Sequence, residues 1–335
     1  GRIPKRVGFE GRLPVARSDA SRKWDGWVAD ADVPRVVDPK AGKLWTANAR
    51  VVSGPMLAIL GEGNYPLGAR ARQIRDDLFA KEKLSASDLM DIQLDNRAVF
   101  LDRWQKLAMS VLDEATLARE PQLREAKSFI ESWGGRALPE SVGYRIVRAF
   151  RLATLDRAIT PLLAPVMKRD REFKYSRVWQ SEGPLWQLVT ARPAHLLDPR
   201  YADWNALLVD ALKSVVADLT KDGRLLKDRT WGERNAARIQ HPLSKAVPAL
   251  SRYLDMKPDP LPGDDHMPRV HTPTNGASER FVVPPGHEEL GYFHMPSGQT
   301  SHPLSPYFGA GHEAWLKGEK TPFLPGPTRY TLVLR

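Results

Sequence analysis

Apolar and polar positions divide the chain into three stretches. Residues 1–66 are rich in Gly, Pro and Trp and lack helical periodicity, so they read as loops with short strands. Gly26-Trp27-Val28 and Leu44–Val52 carry the aromatic and β-branched content of strands, the second bounded by Gly42 and by Ser53-Gly54-Pro55. From Leu67 the pattern turns helical and stays so to about residue 260. Ser85-Ala86-Ser87-Asp88 has the spacing of a capping box, with Asp in place of the usual Glu. Leu89, Ile92, Val99, Trp104, Leu107 and Val111 then recur at roughly helical spacing, so this stretch should bury one face. Further helices are predicted over 122–132, 141–152 and 201–222, with Trp133-Gly134-Gly135 and Lys221-Asp222-Gly223 as stops. No internal repeat occurs. Lys257-Pro258-Asp259-Pro260-Leu261-Pro262-Gly263 cannot continue a helix and marks a return to strands and loops over 261–335, where Tyr330–Arg335 alternates like a strand. The pattern is that of an α+β chain whose two β-type ends pair in one sheet system, with 67–260 as a helix-rich insertion between them.

Length and composition narrow the picture. At 335 residues the chain can bury a sizeable core, as one large domain or two. No apolar run approaches the roughly 18–20 residues that span a bilayer. The first twenty residues lack the layout of a secretory signal, so the start reads as mature sequence or a cut end. The absence of cysteine excludes disulfides and thiolate metal sites without deciding a compartment. The net charge of +10 would suit a polyanion if it were clustered. It is not: Lys and Arg alternate with acids, as in Arg72–Asp77 and Lys81-Glu82-Lys83, so a nucleic-acid partner is not expected.

Two distant segments carry the chemistry. Leu44-Trp45-Thr46-Ala47-Asn48-Ala49-Arg50 lies near the start. Gly276-Ala277-Ser278-Glu279-Arg280 runs into His294–Pro306, which contains Gly298-Gln299-Thr300-Ser301-His302-Pro303-Leu304-Ser305-Pro306. Together with Gly1–Arg6, Gly11–Val15, Gly68–Ile74 and Ile92-Gln93-Leu94-Asp95, in that order, they resemble the penicillin amidase family over nearly the whole chain. The resemblance implies a four-layer αββα fold, that of hydrolases with an N-terminal nucleophile. It also implies cleavage of an acyl amide by an amino-terminal Ser whose own α-amino group acts as base. This chain begins with Gly1, so on that resemblance it is the rear part of the β chain, expected to be inactive alone. Its partners would be the α chain and the front of the β chain from one autoprocessed precursor, with a periplasmic or secreted location and a β-lactam side-chain amide, an N-acyl homoserine lactone or a similar amide as substrate. A catalytically inactive acylase-like binding scaffold is the first alternative, and a basic nucleic-acid-binding protein the second and weaker one.

Asn48 falls where the family's motif carries the amide that donates to the oxyanion, a neutral donor aimed at developing charge. Arg70 falls where the family carries an arginine close to the active centre; its fork could hold the asparagine, orient the α-amino group or contact a substrate carboxylate. Gln93 and Asp95, two apart, would point in different directions on a helix, so a polar core contact is expected of one of them rather than catalysis. Six of the eight histidines fall within residues 266–312, but without the spacing of a zinc helix, and neither they nor Gln299 and Ser305 are expected to react. No cofactor is expected. The structural calcium common in the family is in doubt, because Val51–Leu60 offers no acid and Glu62 is the first.

Overall fold

The computed structural model describes residues 1–9, 11, 15–61, 63, 65–173 and 180–334. Residues 12–14 of the Gly11–Val15 motif, Glu62 and Arg335 lie outside the described residues.

Strand β1 (Pro4–Val7) pairs antiparallel with β2 (Lys23–Trp27), Pro4 opposite Trp27 and Val7 opposite Lys23. Near the other end β3 (Arg280–Val282) pairs antiparallel with β4 (Tyr292–His294), Phe281 opposite Phe293. Among the described residues these form two separate two-stranded sheets, so the expected pairing of the two ends in one sheet is not met. Alternation shows that a strand has a face to cover but not which strand covers it. Two further expectations fail for the same reason: Leu44–Val52 and Tyr330–Leu334 run without strand structure, and their large side chains, such as Leu44 and Leu334, are exposed.

Helix α1 (Gly54–Leu60) falls in the stretch read as loops and strands and corrects that reading, with Pro55 at its first turn where a missing N–H costs nothing; the middle of the chain is helical as expected, with α2 (Ala69–Phe79), α3 (Ala86–Gln93), α4 (Asp102–Val111), α5 (Glu114–Arg119), α6 (Arg124–Glu131) and α7 (Val142–Ile159). After these come α8 (Ala164–Arg169), α9 (Glu182–Ala191), α10 (Trp204–Thr220), α11 (Trp231–Arg234), α12 (Pro242–Ala246), α13 (Ser251–Leu254) and, beyond β4, α14 (His312–Lys317). The capping box at the start of α3 forms in full: Ser85 accepts from the Asp88 N–H while the Asp88 carboxylate accepts from the Ser85 N–H. The stretch from Leu89 to Val111 is not one helix. It breaks between α3 and α4, where the Asp95 carboxylate accepts from the Arg97 N–H and the Ala98 N–H turns to Gly135 O; Val99 consequently faces solvent.

The core sits where α7 crosses α4, α6, α9 and α10. In α10 the buried positions Trp204, Leu207, Leu208, Ala211, Leu212, Val215, Val216 and Leu219 follow the spacing of one apolar face, and Asp203 caps the helix by accepting from the Ala206 N–H. Helix α7 is capped by Ser141 and approaches α6 closely at Gly143, where a side chain would strike Phe129 O. A second, smaller cluster of Ala237, Leu261 and Trp315 anchors the last quarter.

The chain exposes 21354 Å² of surface. A compact monomer of this size would expose roughly 14,000 Å². The excess is rich in large apolar side chains at both ends, Trp24, Trp27, Val37 and Trp45 at one and Tyr330 and Leu332 at the other.

Candidate active site

Asn48 stands in a bend between β2 and α1, on left-handed backbone with φ 60°. Asparagine enters that region more readily than other residues with a β-carbon. Next to it Ala49 is buried and anchors the bend. Three residues earlier, Trp45 packs edge-on against Phe79 at the end of α2, and the Lys43 ammonium donates to Leu78 O. The segment is thus fixed against α2 by side chains in place of a strand ladder.

Arg70 occupies the first turn of α2. Its Nη2 donates to Ala47 O and to Asn48 Oδ1, both at 2.8 Å. The second bond settles the orientation of the amide: Oδ1 is the acceptor, so Nδ2 is left with both N–H groups free to donate. Burial pushes the Arg70 guanidinium below its ordinary value, offset in part by the charge of Asp265.

Helix α2 is itself held. One turn beyond Arg70 the buried Gln73 donates through Nε2 to Asp95 Oδ2 at 2.5 Å and to Arg97 O at 3.1 Å. Arg97 grips Asp95 through Nε and Nη2 and reaches Asp77 on α2. Desolvation raises the Asp77 carboxyl, whereas at Asp95 the bonds from Arg97 and Gln73 outweigh desolvation and hold the carboxyl low. The expected polar core contact is therefore made by Asp95. Gln93 points elsewhere and donates to Phe281 O in β3.

Asn48 and Arg70 line a cavity of about 840 Å³ whose other walls come from distant parts of the chain. Tyr65, Pro66 and Leu67 precede α2; Phe100 and Leu101 precede α4; Tyr144, Arg148, Arg151 and Leu155 come from α7; Asp264, Asp265 and His266 come from the loop after Gly263. That loop is pinned from beneath: buried Asn235 donates its amide to Leu261 O, Gly263 O and His271 O, and Trp231 Nε1 donates to Gly263 O. Tyr144 donates to Asp264 at 2.7 Å, and Arg148 donates to Asp264 and Asp265. Burial, then the charge of Asp264, raises the Tyr144 hydroxyl well above its usual range. Asp265 is reachable from the cavity, yet the surrounding walls and then Asp264 raise its carboxyl. His266, edge-on to Phe100 at 4.8 Å, is lowered to about 4 by burial and by Arg151, so it is neutral at pH 7.

A neutral amide donor fixed by a guanidinium, facing a cavity with polar and apolar walls, is an arrangement suited to stabilising an oxyanion. The penicillin amidase family model matches residues 1–329. The chain belongs to the penicillin amidase family. Among its relatives is the penicillin acylase 2 proenzyme of Pseudomonas sp. (strain SE83), 26% identical over 336 residues, which cover 96% of this chain and 42% of that protein. The acyl-homoserine lactone acylase QuiP of Pseudomonas aeruginosa is 24% identical over 372 residues, again covering 96% of this chain and 42% of the relative. The chain thus spans about two-fifths of the length of these relatives. The thermostable penicillin G acylase from Alcaligenes faecalis superposes with a TM-score of 0.60 at 14% identity, over 100% of this chain and 64% of that one, which establishes the fold.

Other residues marked in the sequence lie elsewhere in this penicillin amidase chain. His271 is buried, its Nδ1 2.9 Å from Pro262 O and its Nε2 against Arg280, whose Nη1 donates to Trp315 O. Burial, then Arg280, lowers His271 to about 3. His294 is buried with no partner for either ring nitrogen among the described residues, and burial lowers it to about 4. His312 rests on Pro296 O at 2.6 Å, while His302 and Ser305 accept backbone N–H groups two residues ahead. Among the described residues no three His, Asp or Glu side chains are arranged to hold a metal ion. Val51–Leu60 carries no carboxylate that could ligate calcium.

Proposed function

We propose that this chain is the rear part of the β chain of an amidohydrolase that cleaves an acyl amide through an N-terminal Ser supplied by another part of the protein. The substrate would be a β-lactam side-chain amide, an N-acyl homoserine lactone or a related acyl amide. The Ser hydroxyl attacks the carbonyl with its own α-amino group as base, and an acyl-enzyme forms and is hydrolysed. Asn48 donates Nδ2–H to the oxyanion in both steps, and Arg70 holds the amide in the donating orientation. No cofactor takes part. The observation that carries this reading is the bond from Arg70 to Asn48 Oδ1, which leaves the donor end of the amide without a partner among the described residues. The exposed apolar side chains at both ends support an intimate partner, proposed to be the α chain and the front of the β chain from the same precursor. A periplasmic or secreted location accords with the family. No helix among the described residues is long and apolar enough to cross a membrane.

The test is expression of the complete precursor beside residues 1–335 alone, with amine release measured from N-acyl homoserine lactones and penicillins. Turnover by the processed protein and none by the isolated chain is expected. Turnover by the purified isolated chain would overturn the assignment of the nucleophile.

A further inference from the structure

The cavity beside Asn48 carries more cationic donor capacity than its own carboxylates use. On its wall Arg148 is engaged by Asp264 and Asp265. Arg151 is different. Its residue is 9% exposed, its Nε donates to Glu182 Oε2 at 2.7 Å, and its guanidinium lies 5.1 Å from the Phe100 ring. Glu182 is shared: Arg103 and Trp104 Nε1 donate to its other oxygen, so two guanidiniums face one carboxylate. This group keeps one positive charge beyond balance. Arg151 Nη1 and Nη2 have no hydrogen-bond partner among the described residues, and the side chain lines the cavity. Ser181, 6% exposed, lines the same cavity, and its hydroxyl likewise makes no hydrogen bond there. Position 181 is fixed by its neighbour Gln180, which donates to Tyr65 O and Pro66 O on the adjoining wall.

Arg151, through its two terminal nitrogens, and Ser181, through its hydroxyl, thus present N–H and O–H donors that have no partner among the described residues to one space. A guanidinium with both terminal nitrogens free matches a planar, two-oxygen anion.

We propose that Arg151 and Ser181 form a specificity site for a carboxylate on the amide substrate, Arg151 through its free fork and Ser181 through its hydroxyl. This rests on the acylase reading above for what occupies the cavity. The carboxylate belongs either to the amine portion or to the far end of the acyl portion.

The test measures binding without turnover. The complete processed protein is titrated calorimetrically at neutral pH with two ketones in which a methylene replaces the amide nitrogen. 4-Oxoundecanoic acid places the carboxylate about two methylenes from the carbonyl, and 8-oxoundecanoic acid places it about six methylenes away. Each is compared with its own primary carboxamide. One of the acids should bind about 10- to 100-fold tighter than its carboxamide, the worth of a charge-assisted pair, and the acid that does so assigns the distance of the site from the carbonyl. That preference should vanish in Arg151→Met and shrink in Ser181→Ala, which leaves the Glu182 ion pairs intact and guards against a folding defect in the first variant. Equal binding of both acids and their carboxamides, or a preference undiminished in Ser181→Ala, would overturn the proposal. A protein that shows the preference but releases no amine from any acyl amide would sustain this site and overturn the acylase reading alone.

Discussion

Replacing Arg70 by Met in the complete processed enzyme separates the orientation of Asn48 from its presence. The change removes two bonds made by one nitrogen, to Ala47 O and Asn48 Oδ1, each 2.8 Å long. The Asn48 amide then loses the acceptor-side anchor that distinguishes its oxygen from its nitrogen, and its terminal torsion has two broad wells. Loss of one oxyanion donor outright is worth about 10²–10³ in kcat. A donor present but unoriented should cost less, so kcat is expected to fall about 10- to 100-fold. Arg70→Lys should fall between Met and wild type, because it keeps the charge but its shorter chain holds the ammonium farther from the two acceptors that Arg70 Nη2 reaches. The bond to Ala47 O also braces the bend, so a melting temperature must be measured beside amine release to show that each variant stays folded. An Arg70→Met enzyme that is folded, processed and within twofold of wild-type kcat would refute the idea that Arg70 orients the donor.

Two further outcomes concern the scaffold. Gly143→Ala would place a methyl group against Phe129 O and Trp133 Cβ where α7 meets α6, and an overpacked crossing should cost about 1–3 kcal/mol, read as a lower denaturant midpoint. His266, His271 and His294 have folded-state values lowered to about 4, 3 and 4, so they contribute stability at high pH that is lost as pH falls from about 6.5 through those values. His294→Phe removes one such group, whose ring nitrogens have no partner among the described residues, and should flatten stability across that acid limb; a variant as acid-sensitive as wild type would exclude His294 as a source.

What was legible in the sequence was local or carried by a motif. The capping box at Ser85 and Asp88 needed only a three-residue spacing, and it forms as read. Asn48 and Arg70 were marked by a motif and its offset, and the structure brings them into contact. Leu44–Val52 shows where such reading stops: its β-type composition was real, but Trp45 and Lys43 satisfy themselves against α2, and no strand arrives to pair with it among the described residues. The cavity wall was not legible at all. Arg148 and Arg151 are three apart on α7, a spacing that puts them on one helix face, and Asp264-Asp265 is an acidic pair just after a glycine. Those faint signals become a site only through contacts such as Tyr144 and Arg148 with Asp264, more than a hundred residues apart, which no local pattern specifies.

The account turns on the side chain of Asn48, and the left-handed backbone there dictates how to remove it. Alanine would add strain at φ 60° to the loss of the amide, whereas glycine adopts that conformation freely. The deciding measurement is kcat for Asn48→Gly in the complete processed enzyme, with Asn48→Ala alongside. The account predicts a fall of about 10²–10³-fold in both, with KM less affected because the donor matters most once charge has developed on the substrate oxygen. Full kcat in a folded, processed Asn48→Gly enzyme would contradict it.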